Sequence, residues 1–354
     1  LGFLNNRLNV SFDAYIRDTK DMLMAGKTLP GVYGASSPRM NVADLRTKGW
    51  EASVTWGDSF TLASKPFNYR IMAGIGDNTS KVTKYDNPNR TLTDPYEGQQ
   101  LGEIWGYVVD GYFKTDEEAR NYKVDQSFVN QMINASALDN GLHAGDLKFV
   151  DLDGNNKIEQ TTSANDRKDM KVIGNSLPRY NYNFGISADW YGIDFSVLFQ
   201  GIGKQNWYPG AETSMFWGPY SRPYASFIPS DFMSQVWSEE NTNAYFPRPR
   251  GYVALGSNRE LAVVNTKYLQ NLAYCRLKNL SIGYTLPDKW LSKIGFEKIR
   301  VYFSGENLLT FTKLHSDYID PEQASASNSW KTSKSDANIY PWAKTYSFGV
   351  DITF

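Results

Sequence analysis

The residues of this chain best suited to do chemistry are oxygen ligands. They run Asp151-Leu152-Asp153-Gly154-Asn155-Asn156-Lys157-Ile158-Glu159. Side-chain oxygens at alternate positions, here Asp151, Asp153 and Asn155, suit a hard cation such as calcium, with the backbone carbonyl of Lys157 and a water-mediated Glu159 extending the set. Asn156 stands where a helix–loop–helix calcium site has glycine, and asparagine is one of the few residues to visit the left-handed region routinely. Position twelve is Thr162, which offers no carboxylate. The expected closing ligand is therefore Asp166, reached if residues 160–165 bulge outward. A calcium ion in loop 151–166 competes with a plain Asx-rich turn as the reading of these residues.

A second set is aromatic. Trp105, Tyr107, Trp207, Tyr208, Phe216 and Trp217 fall in long stretches without strand character, where ring faces can stack on sugars or pack against a partner. The same rings suit packing within the loops or anchoring at a membrane interface. Catalysis finds little support. The chain has two histidines, His143 and His315, far apart in sequence, and neither a glycine-rich phosphate loop nor Gly-x-Ser-x-Gly. Its paired carboxylates, Glu117-Glu118 and Glu239-Glu240, are adjacent in sequence, which does not make an acid and base facing one bond. No enzyme is expected and no cofactor is required. Cys275 is the single cysteine, so no internal disulfide forms. A net charge of −1 offers no basic field for nucleic acid.

The elements that must position these residues are strands. Tyr346, Phe348, Val350, Ile352 and Phe354 alternate with Ser347, Gly349, Asp351 and Thr353, which gives one greasy and one wet face. The same alternation recurs, and eight strands are expected near 8–24, 45–57, 66–84, 179–190, 193–203, 268–285, 297–313 and 341–354. Tyr191-Gly192 reads as a hairpin turn. Long connections at 25–44, 86–178, 204–267 and 314–340 fall on one side of the sheet, and short ones on the other. That asymmetry is expected of a membrane barrel. Thr115-Asp116-Glu117-Glu118 has the spacing of a capping box opening a helix through about Tyr122. Aromatic residues make up 15% of the chain, with 23 Tyr and 10 Trp, as interfacial girdles require. Mean hydropathy is −0.50, which speaks against transmembrane helices and leaves membrane strands untouched. A secreted β-sandwich that binds carbohydrate or acts as an adhesin explains the alternation and the aromatics but not the one-sided loops; a passive porin is a further alternative.

Several ordered blocks resemble a known family. They are Leu101-Gly102-Glu103-Ile104-Trp105-Gly106-Tyr107, Asp146 to Phe149 with the acidic loop, and Ile173-Gly174-Asn175-Ser176-Leu177-Pro178-Arg179-Tyr180. Phe199-Gln200-Gly201, Arg276-Leu277-Lys278-Asn279-Leu280 and Gly305-Glu306-Asn307-Leu308 follow. Together they resemble the carboxy-terminal part of SusC/RagA-type TonB-dependent outer-membrane transporters. The resemblance implies an all-β, antiparallel transmembrane barrel of roughly 22 strands, of which this chain would supply about the last eight. An amino-terminal plug and the earlier strands would lie outside the sequence. It further implies a bacterial outer-membrane location with lipid around the wall, and import of oligosaccharides or peptides. Partners would be a SusD-like surface lipoprotein and the TonB complex, the latter reached through the missing amino-terminal part. One departure is the length of Gln160–Asn165 ahead of Asp166-Arg167, which puts the ion site in question more than the family.

Overall fold

The protein was analysed as a computed structural model. It describes residues 1–26, 29–130, 141–221, 227–249, 252–256, 259–291, 295–324, 334–335 and 340–354, so parts of the four long expected loops lie outside the described residues.

Nine strands form one sheet whose spatial order follows the chain. They are β1 (Gly2–Phe3), β2 (Leu8–Ala25), β3 (Arg39–Leu62), β4 (Lys65–Lys84), β5 (Arg179–Trp190), β6 (Ile193–Lys204), β7 (Tyr274–Thr285), β8 (Lys298–Thr312) and β9 (Thr345–Thr353). Every neighbouring pair is antiparallel, so connections alternate between the two ends of the sheet. One end carries two-residue turns at Ala63-Ser64 and Tyr191-Gly192 together with the 286–297 connection; the other carries everything long. Both tight turns place two consecutive residues at positive φ, matching the twist of the flanking strands. At Gly192 a β-carbon would lie 2.7 Å from the Thr285 carbonyl oxygen, so the turn has no room for one.

The observed strands differ in length from the alternation. β3 starts at Arg39 and runs to Leu62, beyond the expected 45–57, and the 25–44 connection shrinks accordingly. The ladder needs only backbone groups, so pairing continues into polar sequence where side-chain alternation has stopped. In the other direction, the expected strand 268–285 begins at Tyr274, with Gln270–Asn271 pairing elsewhere.

Register decides which face each side chain takes. Tyr69, Ala188, Phe195, Ile282, Phe303 and Phe348 form one row across six strands. No second layer covers that face among the described residues: Phe12 is 66% exposed and Phe348 82%. A sandwich would bury these rows between its sheets, so the sandwich alternative fails on this geometry. The opposite face is polar and cross-linked. Asn68 donates to Asp189 at 2.7 Å. Arg300 reaches across β7 to Asp194 at 2.6 Å and along its own row to Asp351 at 3.2 Å. That crossing depends on Gly283, where a β-carbon would sit 2.6 Å from the Arg300 Nε.

The tightly packed interior lies at the long-loop end, not on the sheet. Trp207, Tyr208, Phe216, Trp217, Tyr220 and Tyr268 are its largest members, joined by Phe149, Ile158, Phe246, Leu261, Leu314 and Ile319. The helix expected after Thr115 is α1 (Asp116–Arg120), two residues shorter than the reading to Tyr122. Thr115 Oγ1 accepts from the Glu118 N–H at 3.1 Å, while the Glu118 carboxylate accepts from Lys114 N–H, one residue ahead of the N-cap.

Candidate functional site

The acidic loop hangs between two short antiparallel ladders within the long-loop region. Leu147–Phe149 pairs with Val109–Tyr112, and Met170–Asn175 pairs with Glu103–Tyr107. Its apolar anchor is Ile158, fully buried, whose N–H donates to the Asp125 carbonyl at 2.8 Å.

Within the loop the side chains fold onto the backbone. Asp151 accepts from Gly154 N–H and Asn156 N–H, both at 2.7 Å. Asp153 accepts from Asn155 N–H at 3.1 Å, and the Asn155 side-chain Oδ1 accepts from Lys157 N–H at 2.8 Å. Gly154 and Asn156 both take positive φ, the latter at the position where the sequence places asparagine in glycine's stead. Asn155 Nδ2 bridges Asp153 and Glu159, at 3.2 and 3.1 Å.

The closing carboxylate is Asp169, not Asp166. Oxygens of Asp151, Asp153 and Asp169 lie within 4.8 Å of one another. Asp169 also accepts from Leu152 N–H at 2.9 Å and Glu159 N–H at 2.7 Å, which ties the start and end of the loop together. Residues 160–168 make a longer excursion than the expected 160–165. Thr162 and Ala164 pair with Leu92 and Arg90, Ser163 donates to the Asn89 carbonyl, and buried Thr161 donates to the Arg167 carbonyl. The chain therefore returns to the site only at Asp169, while Glu159 is held by Lys168 at 3.2 Å. Asp169 is fully buried, and that burial pushes its carboxyl above the ordinary range; Asp153 and Asp151 push it further in the same direction. Among the described residues no cationic side chain pairs with any of the three. Three clustered carboxylates are hard oxygen donors of the kind that fit a divalent cation such as calcium. The sequence signal for Asp169 is faint, since it stands eighteen residues after Asp151 where the calcium-loop pattern expects eleven.

The aromatic candidates occupy a different setting. Tyr107, Trp207, Tyr208, Phe216 and Trp217 are all buried in the interior of the long-loop end. Phe216 and Trp217 meet edge to face at 4.8 Å. Trp217 Nε1 donates to the Gly210 carbonyl at 2.9 Å, and Tyr208 Oη to the Leu261 carbonyl at 2.8 Å. Of the two readings of these rings, contact with a ligand or partner and packing within the loops, the burial of these five fits the second. Trp105 alone keeps partial exposure. Exposed rings at this end include ones the sequence did not single out, such as Phe227 and Tyr318, in contact at 4.7 Å, and Trp342, under the Lys278 ammonium at 5.5 Å.

No family model matches the chain. Comparison with individual proteins is more informative. TonB-dependent receptor P3 of Formosa agariphila is 28% identical over 373 residues, covering all of this chain and 33% of that receptor. TonB-dependent receptor SusC of Bacteroides thetaiotaomicron is 22% identical over 355 residues, covering all of this chain and 31% of the receptor. Among solved structures, the RagAB peptide importer in its open-open state superposes with a TM-score of 0.69 at 21% identity, over all of this chain and 33% of the matched one. In its closed-closed state the TM-score is 0.65 at 23% identity. The chain thus spans about a third of the length of the relatives it matches. In sequence the chain is similar to TonB-dependent receptors, SusC among them, and in fold to the RagAB importer.

Proposed function

We propose that this chain forms part of the wall, with its outer loops, of a TonB-dependent importer in the bacterial outer membrane. Such an importer takes up oligosaccharides or peptides together with a SusD-like surface lipoprotein. The observation that carries this reading is the pairing of faces on one sheet. Lipid covers the uncovered apolar rows, and the ion-paired rows line an aqueous lumen. The two-residue turns face the periplasm, and the packed loops form the outer surface where substrate and lipoprotein arrive. Energy comes through TonB, acting on a part of the importer outside this chain. The acidic loop holds calcium through Asp151, Asp153, Asn155 and Asp169, a structural ion that fastens residues 151–169 to their flanking strands.

The test is uptake. Cells lacking the receptor and complemented cells are compared on defined oligosaccharides and on peptides as sole nutrient, with and without TonB. The expected result is receptor-dependent growth on one class, abolished with TonB. Receptor-dependent uptake that survives loss of TonB would favour a passive porin instead.

A further inference from the structure

A bulge in the wall aims two cations at an outer loop. In β7, Leu277 pairs with Leu309 and Asn279 with Glu306, so Lys278 opposes both Asn307 and Leu308 of β8. Asn307 takes a φ of 55° to accommodate the extra residue. On the other side, β6 skips Lys278 altogether, passing from Asn279 at Leu198 to Leu277 at Phe199. One extra residue reverses facing along everything beyond it. Leu280 and Ile282 point to the apolar side before the bulge; past it, even-numbered Arg276 lines up with Gln200 and Thr310 on the polar side.

Arg276 then spends its whole guanidinium on one task. Nε donates to Thr310 Oγ1 at 3.0 Å, Nη2 to Asp320 at 2.6 Å and Nη1 to Glu322 at 2.7 Å. Lys278 donates to both oxygens of Glu322 at 2.8 Å. The Asp320 carboxylate also accepts from Trp342 N–H at 3.2 Å, so the far end of the same connection is gathered in. The Arg276 and Asp320 side chains are only 3% and 6% exposed. On either side of the two acids, Ile319 and Ala324 enter the outer-loop interior.

We propose that Arg276 and Lys278 are an ionic latch holding the connection between β8 and β9 down on the wall, and that the bulge exists to turn Arg276 toward it. The outer-loop interior and the barrel wall then move as one body while the latch is closed. A desolvated pair broken on one side leaves a buried charge without compensation, so the latch is either whole or open. This inference does not depend on what the receptor imports.

The test uses the receptor in its native membrane, with Cys275→Ser removing the intrinsic thiol and Ala324→Cys as reporter. Ala324 is 2% exposed, so a membrane-impermeant maleimide labels the reporter slowly while the latch holds. Arg276→Met is expected to speed labelling about tenfold or more, because it strands the buried Asp320. Asp320→Asn with Glu322→Gln opens the latch from the loop side without touching a strand. Lys278→Met has a smaller effect, since its partner is more exposed. Heat-dependent electrophoretic mobility of each variant reports the wall separately. Labelling that stays slow in both Arg276→Met and the loop-side double variant, with the wall intact, overturns the latch. So does loss of the wall in the double variant, because the contact would then belong to barrel folding.

Discussion

At the scale of single residues, charge and burial decide more than residue type. Asp166 and Asp169 are chemically identical, yet only Asp169 meets Asp151 and Asp153. Asp169→Asn is therefore expected to lower calcium affinity about tenfold or more, through loss of one anionic ligand of a hard-cation site. Asp166→Asn should leave it within about twofold. Isothermal titration of the purified receptor with calcium distinguishes the two, and equal losses would return Asp166 to the site. The same logic applies to Trp217. Its ring is fully buried, and Trp217→Ala should cost about 3–5 kcal/mol of local stability. The readout is faster protease cleavage of the outer loops, including loops remote from any bound substrate.

Among the elements, strands depend on what their neighbours omit. Gly283 leaves open the path by which Arg300 crosses β7 to Asp194. Gly283→Ala should break that pair and lower the unfolding temperature of the barrel by a few degrees. Asp194→Asn in the same background should then add little, as expected of two changes to one interaction. Full additivity of the two shifts would show that Arg300 does not need the gap. The α1 turn makes a pH-dependent statement. The Lys114 N–H, and then Lys148, hold the Glu118 carboxyl below its ordinary 4.5. Ionised Glu118 therefore supports the turn fully above that value, and the support is lost as pH falls through the depressed folded value. Hydrogen exchange at the Lys114 amide should report this loss, and Glu118→Gln should remove the pH dependence. A profile unchanged by Glu118→Gln would assign it to another group.

For the whole molecule, the apolar rows are the decisive feature. Soluble monomers rarely expose contiguous apolar patches beyond about a few hundred Å², and here apolar rows lie uncovered across several strands. The receptor is expected in the outer-membrane fraction, released by detergent and not by salt or alkali. Recovery as a detergent-free soluble monomer would be incompatible with lipid on that face. The long-loop end behaves differently, because it has its own buried interior, and so it should keep its protease resistance in any detergent that preserves the wall.

The sequence by itself determined the strand alternation, the antiparallel hairpins and the side of the sheet that carries the long loops. It did so because facing in a strand repeats every two residues and needs no knowledge of distant partners. It also located the capping box and the left-handed asparagine, which are equally local. Tertiary structure decided everything that joins distant segments: the excursion that substitutes Asp169 for Asp166, the choice between ligand contact and internal packing for five aromatics, and the bulge that reverses Arg276. Those outcomes are set by where a chain returns after a loop and by a single inserted residue in a ladder, and neither leaves a periodic trace in the sequence.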